Sequence, residues 1–487
     1  MRPPATAARV GPYLAAGLAR GGRWRDPAPR GARTFGTGFC FPRRRRCIRV
    51  KDHEPGASRP ARQPFAGRMF AAFGVPNFRL YFAGQSVSLV GTWMQVVAQS
   101  WLVLQLTNSG VLLGLVAAVQ FLPVLLLGPY GGLVADRVGK RGLLLGTQSA
   151  LGLLALLLGL LTVTHAVRLW MVFVVAAAMG TVNSVDQPGR QSFVPELVGR
   201  DRLQNAVSLN SVLTNASRAV GPAVAGVLIA TVGVGVCFLA NAASFAAVLI
   251  ALACIKAAQL RPSPPAGHES GQLRQGLRYV AGTPGLLVPL LMMALVGTLA
   301  YEFQVALPLL ARVSFHGGAS TYGFMTAAMG AGAVAGGLVV AGLARTGLPL
   351  FTGAAVGFGV AILAAALIPA LPGELGALAV VGFFSTTFMA TGNTTLQLTA
   401  DPRFRGRVMA LWSVTFSGST PIGGPVVGAV ADGLGPRYGL GLGALACLAA
   451  AIIGAVAVRR MPPADRHAGR PRELDWPSYP QPHEIDA

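Results

Sequence analysis

The sequence predicts an all-α membrane protein of twelve transmembrane helices in two pseudo-symmetric six-helix bundles, and three observations predict it. The chain is 53% hydrophobic and 12% charged over 487 residues, too little charge to cover a soluble surface of that size. Long Leu/Val/Ala/Gly runs recur from Asn77 to Arg459, too many for one signal peptide. The halves also echo one another: Pro188, Gly221-Pro222 and Gly226 are answered by Pro402, Gly424-Pro425 and Gly428, with the Gly-Pro pairs 203 residues apart.

Taken in order, residues 1–68 are rich in Arg, Pro, Gly and Ala and have neither helical nor strand periodicity, which predicts a disordered basic extension. An alternative start is Met69, immediately before the first apolar stretch. The first bundle, 69–255, takes six crossings: Leu80–Leu106, Leu112–Ala135, Leu143–Val163, Leu169–Pro188, Leu203–Thr231 and Gly233–Ile255. A linker, 256–285, carries a short stretch over 273–280 suited to a helix on the membrane surface. The second bundle, 286–460, takes Leu286–Leu309, Tyr322–Leu343, Leu350–Ile368, Leu375–Leu396, Val408–Ala431 and Leu440–Val458, before a disordered tail over 461–487. Each run can cross about 30 Å of hydrocarbon at about 1.5 Å per residue.

The formal charge of +23 suggests nucleic acid until its positions are read. Sixteen Arg and Lys precede Phe70. In the connections, fourteen basic residues fall on the side of the termini: Arg137, Lys140, Arg141, Arg190, Arg200, Arg202, Lys256, Arg261, Arg274, Arg278, Arg345, Arg403, Arg405 and Arg407. Only three, Arg168, Arg312 and Arg437, fall opposite. That bias places both termini in the cytoplasm and argues against a nucleic-acid partner. The five cysteines are scattered away from His clusters, so no metal site is expected. An ATP-binding Gly-Lys-Ser/Thr loop and a nucleophile–base constellation are both missing, so neither a cofactor nor an enzyme is expected.

Between crossings two and three stands Gly132-Leu133-Val134-Ala135-Asp136-Arg137-Val138-Gly139-Lys140-Arg141. Gly139 suits a tight reversal, Asp136 suits a helix end, and Arg137, Lys140 and Arg141 suit breakable ion pairs between halves. This loop, the Gln187–Leu197 stretch and the Gly221-Pro222/Gly226 element resemble the major facilitator superfamily, in its branch of bacterial drug and siderophore exporters that includes the enterobactin exporter. The resemblance covers about residues 77–460. It implies an inner-membrane secondary transporter that exports a small amphipathic molecule by proton antiport and alternating access, working as a monomer among membrane lipids. An importer or facilitator of the same fold, and a non-transporting receptor or scaffold, stand as alternatives. The Gly-Pro elements, Gly221, Pro222, Gly226, Gly424, Pro425 and Gly428, are expected to let helices five, eight and eleven approach one another.

On the first crossing, Gln85, Ser88, Thr92, Gln95 and Gln99 share one helical face. Polar groups facing lipid are costly, so this face is expected to meet protein or a water-filled cavity, the resemblance favouring the cavity. Asn183 on the fourth crossing and Asn393, Thr394 and Gln397 on the tenth join it, with Trp93, Trp101 and Tyr301 as stacking surfaces, Trp101 alternatively as a membrane-interface anchor near the external end of its crossing. Three ionisable residues lie inside the apolar runs. Glu302 is a candidate for proton coupling or substrate recognition, or a structural partner for Arg218 or backbone groups. Arg218 suits an anionic substrate or a buried ion pair, and Asp186 suits proton acceptance or cytoplasmic gating.

Overall fold

The computed structural model describes residues 70–261, 272–342 and 346–460, and these are helical throughout, with short connections. The extension 1–68, Met69, Arg345 and the tail 461–487 lie outside the described residues. Helix α1 (Pro76–Thr107) opens on Pro76, whose missing N–H costs nothing in a first turn, and closes on Asn108 in the left-handed region, φ 52°. Helix α2 (Gly110–Arg137) starts where Ser109 Oγ accepts from Leu112 N at 3.3 Å. Helices α3 (Lys140–Val163), α4 (Leu169–Val198), α5 (Leu203–Val232) and α6 (Val234–Cys254) complete the first bundle. Between α5 and α6 the chain reverses through Gly233 at φ 92°, a conformation that disfavours side chains.

In the linker lies α7 (Gln272–Ala281). The second bundle follows with α8 (Pro284–Leu299), α9 (Phe303–Leu309), α10 (Ala319–Gly342), α11 (Leu348–Leu367), α12 (Leu371–Thr399), α13 (Arg405–Ser417), α14 (Thr420–Gly433) and α15 (Pro436–Arg460). Eleven helical spans among the described residues have the length and apolarity to cross a membrane. The remaining crossing, the eleventh in chain order, is α13 followed by α14, two half-helices that break at Gly418-Ser419. Pro421 has no N–H to continue the ladder of α13, so a new helix begins there. Crossing seven is interrupted too, with Glu302 between α8 and α9. Leu153, Ile250, Leu338 and Ile452 are each about two-thirds exposed, as expected of surfaces that meet lipid.

Packing shows the pseudo-symmetry. In the first bundle α2 packs on α4, α1 on α5 and α6, α3 on α4 and α6. Six crossings later, α10 packs on α12, α8 on α13 and α15, α11 on α12 and α15. The bundles meet along two seams, α5 on α10 and α2 on α14. Both are built from small residues. Gly226 faces Gly323, Gly330 faces Ala219, Gly114 faces Gly424 and Pro425, and Gly110 faces Gly428. Helix eleven therefore meets helix two, not helices five and eight. Gly221 is also corrected: it seats against Val90, Trp93 and Met94 of α1 inside its own bundle, while the Pro222 carbonyl faces Gly323.

The seams close only one side of the molecule. We call the side of the α2–α3 loop and α7 the linker face, and the side of the α1–α2 turn the distal face. On the distal half, α14 packs closely on α2, and α9 touches both α1 and α2. The cross-bundle hydrogen bonds among the described residues lie there. Arg312 Nη1 donates to the Leu104 carbonyl at 2.9 Å. The Asp432 carboxylate accepts from Ser109 Oγ, Gly110 N and Val111 N at 2.9, 2.6 and 3.0 Å. Trp101 stacks on Tyr322 with centroids 6.4 Å apart, so it is a bundle contact and not a stacking surface for a solute. Toward the linker face, α13 touches α2 far less than α14 does.

Candidate transport cleft

Below the closed distal half, Arg218 and Ala219 lie against Gly330, and Leu125 against Gly418. Arg218 is the sixteenth of the thirty residues of α5, near mid-membrane. It is exposed, and its neighbours come from both bundles, Trp93 from the first and Tyr301 from the second. Val220, Val224 and Val227 occupy the opposite, lipid-facing side of α5. The guanidinium carbon lies 4.8 Å from the centroid of the Trp93 ring. Tyr301, half-buried and within electrostatic reach of Arg218, donates its hydroxyl to the Ser385 carbonyl at 2.8 Å and packs its ring on Phe358 and Phe416.

The expected cavity face of α1 proves to be a packed seam. Gln85, Ser88, Gln95 and Gln99 are buried at 3–7% exposure. Gln95 accepts from Asn241 and donates to Met179 Sδ at 3.2 Å. Ser244 Oγ donates to Asn241 Oδ1 at 2.9 Å. Gln99 donates to Gln120 at 3.0 Å, and Thr92 Oγ1 to the Ser88 carbonyl at 2.9 Å. Gly84 and Gly91 on the same face let α6 approach within contact. Replacing Gln95 with Leu should leave Asn241 without an acceptor and lower stability by about 1–3 kcal/mol, while substrate preference stays unchanged. Thermal unfolding in detergent and transport competition assays measure the two.

A second polar stripe runs along α5, on the face that carries Arg218. Gln204, Ser208, Ser211, Asn215 and Arg218 follow spacings of four, three, four and three along α5. Gln204, Ser208 and Ser211 are exposed and Asn215 half-buried. On α12, Asn393 and Thr394 are half-buried and Gln397 is exposed, with Gln397 donating to Asn393. Asn183 is half-buried on α4.

Asp186 is fully buried, accepts from Thr147 Oγ1 at 2.6 Å and Gln148 Nε2 at 2.8 Å, and pairs with Arg190 at 2.8 Å. It is a structural node of the first bundle and not a wet acceptor. Glu302 makes no ion pair with Arg218. Its carboxylate turns to the first turn of half-helix α14, beside Thr420 and against Gly423 and Gly424, where helix N-terminal N–H groups favour negative charge. Glu302 is 4% exposed and its Oε1 has no hydrogen-bond partner among the described residues.

Loop charges that suited links between halves instead brace the first bundle. Lys140 pairs with Glu196 at the end of α4. Arg141 donates to the Leu252 and Ala253 carbonyls at 2.8 Å each, capping α6. Arg137 is exposed, and the Asp136 side chain lies outside the described residues. Gly139 has φ −57° with open space around it, and Gly132 has no close neighbour either, so neither position demands glycine.

A family model described as transmembrane secretion effector matches residues 68–485. The chain belongs to this family. The chain is similar to the staphyloferrin A transporter of Staphylococcus aureus, 32% identical over 176 residues, which are 36% of this chain and 44% of that protein. It therefore spans less than half of that relative. It also resembles the multidrug efflux pump Tap of Mycolicibacterium fortuitum, 28% identical over 74% of this chain and 90% of Tap. The enterobactin exporter EntS of Citrobacter koseri is 26% identical over 80% of this chain and 94% of EntS. Among solved structures, a bacterial homologue of the lysosomal transporter Spinster, inward-facing and occupied, superposes with a TM-score of 0.63 over 82% of this chain and 98% of that one, at 14% identity, a likeness of fold. The chain is thus a bacterial, multi-pass inner-membrane protein of the major facilitator superfamily. Its fold is that of the solved membrane transporters.

Proposed function

We propose that this transporter exports a small amphipathic organic molecule from the cytoplasm by proton antiport. The observation that carries the reading is the one-sided closure: the distal half is sealed by Asp432, Arg312 and two glycine seams, while the polar face of α5 stands open toward the linker face. The excess of basic residues on the linker face makes that side cytoplasmic by the positive-inside rule. The three opposing arginines do not contradict it. Arg312 caps the end of α1, Arg437 donates to the Ala366 and Ile368 carbonyls at the end of α11, and a single exposed Arg168 remains. Substrate enters the cleft from the cytoplasm or inner leaflet, and the bundles then rock to expose it outside.

Glu302 is the proton carrier in this reading. It sits where both broken crossings meet, so a change in its charge acts on the half-helix α14 that also holds the distal seam. One inward elementary charge supplies about 2.3 kcal/mol per 100 mV. In proteoliposomes, adding a transported substrate should drive proton flux. Glu302→Gln should abolish that flux while substrate counterflow, which needs no net proton movement, persists. Substrate transport without proton flux in the unmodified protein rejects the coupling.

A further inference from the structure

We infer that the cleft recognises organic anions: a carboxylate or similarly forked anionic group docks on the Arg218 guanidinium, and an aromatic or apolar body lies between Trp93 and Tyr301. This rests on the cleft reading above and names the substrate class.

The argument starts from cost. A cation at mid-membrane is unfavourable by several kcal/mol unless it is paired or watered. The ion pairs among the described residues are Lys140–Glu196 and Arg190–Asp186. Glu302, the acidic residue that suited Arg218 in the sequence, is turned to Thr420, Gly423 and Gly424. The Arg218 charge thus has no acidic partner there, and its neighbours are the Trp93 ring and Tyr301. Its guanidinium carbon lies 4.8 Å from the Trp93 centroid and none of its N–H donors is bonded among the described residues, so they remain for a planar, two-oxygen anion, which a guanidinium binds in bidentate fashion.

The surroundings fit the rest of such a molecule. Tyr301 commits its hydroxyl to the Ser385 carbonyl and offers its ring. Phe358 and Phe416 back that ring from the second bundle, while Trp93 belongs to the first. One ligand therefore touches both bundles. Toward the linker face, Asn215, Ser211, Ser208 and Gln204 form a neutral polar track that leads to Arg218 without a competing negative charge on α5.

The test uses the full chain in lipid nanodiscs with three probes of one shape: 1-naphthoate, 1-naphthamide and 1-naphthylmethylammonium. Binding is read by tryptophan quenching and by the thermal midpoint. Naphthoate should bind at least about tenfold more tightly than the other two, the equivalent of about 1.4 kcal/mol. Arg218→Gln should remove that preference, Arg218→Lys should retain part of it, and Trp93→Phe should remove most of the quenching. Equal affinity for the three probes, a preference for the cation, or an unchanged ranking in Arg218→Gln overturns the inference. If Arg218→Gln fails to fold, the ranking in the unmodified protein and in Arg218→Lys decides. Failure of the export reading looks different: naphthoate would bind at Arg218 with no substrate-driven proton flux. Conversely, export of cations alone would leave that reading standing and remove this one.

Discussion

Replacing Asp432 with Asn should open the distal face. The carboxylate accepts three donors from the first turn of α2, Ser109 Oγ, Gly110 N and Val111 N. An anion at a helix N-terminus gains from both the free N–H groups and the helix dipole. Asn has one acceptor oxygen, and its NH₂ group would face donors. The loss should be about 2 kcal/mol, borne entirely by the closed state because Asp432 and α2 belong to different bundles. At about 1.4 kcal/mol per tenfold, the closed-to-open ratio falls by roughly thirtyfold. The measurement is labelling from the distal side by a membrane-impermeant thiol reagent at Gln304→Cys, in a hollow shared by Gln99, Gln120 and Leu113. A version without the native cysteines provides the background. Labelling should accelerate more than tenfold, and an unaltered rate refutes the clamp. Arg312→Gln should act in the same direction, because Arg312 places a cation on the C-terminal carbonyls of α1. The pair should not be additive, since both act on one α1–α2 hairpin.

The sequence makes the crossings and their repetition legible because a membrane span declares itself by length and apolarity. It is less informative about which polar face is a seam and which is a cleft. The α1 and α5 stripes have the same helical period, and the period says only that a face avoids lipid. The distinguishing signal is the size of the flanking residues. Gly84 and Gly91 flank the α1 stripe and bring α6 against it, whereas Gln204, Ser208, Ser211, Asn215 and Arg218 have no such glycines among them on that face. Helix breaks were hidden for a related reason. Glu302 and Gly418-Ser419 interrupt apolar runs without interrupting their hydropathy, and only Pro421 marks the second break locally. Asp432 was equally inconspicuous, since an acidic residue at the end of a crossing reads as solvated until the partner helix is seen.

Close contact at glycine has two different consequences in this fold, and the contrast is testable. A Cβ on Gly114 of α2 would run into the backbone of Gly424 and Pro425 across the bundle interface. A Cβ on Gly332 of α10 would run into the backbone of Ala379 on α12, inside the second bundle. Neither obstacle is a flexible side chain, and overpacking of this kind costs about 1–3 kcal/mol or more. The first protein has an escape: the bundles can part on the distal side, so the penalty cannot exceed the free-energy gap between the two states, a few kcal/mol. The second has none, because α10 and α12 remain packed whichever side is open. Gly114→Val should therefore stay monodisperse, keep its thermal midpoint within a few degrees, lose transport and label at Gln304→Cys from the distal side. Gly332→Val should unfold at a much lower temperature, or fail to accumulate, without gaining distal labelling. Equal destabilisation of both variants, with no labelling of the first, would mean that the α2–α14 seam does not open during transport and that the bundles do not rock about it.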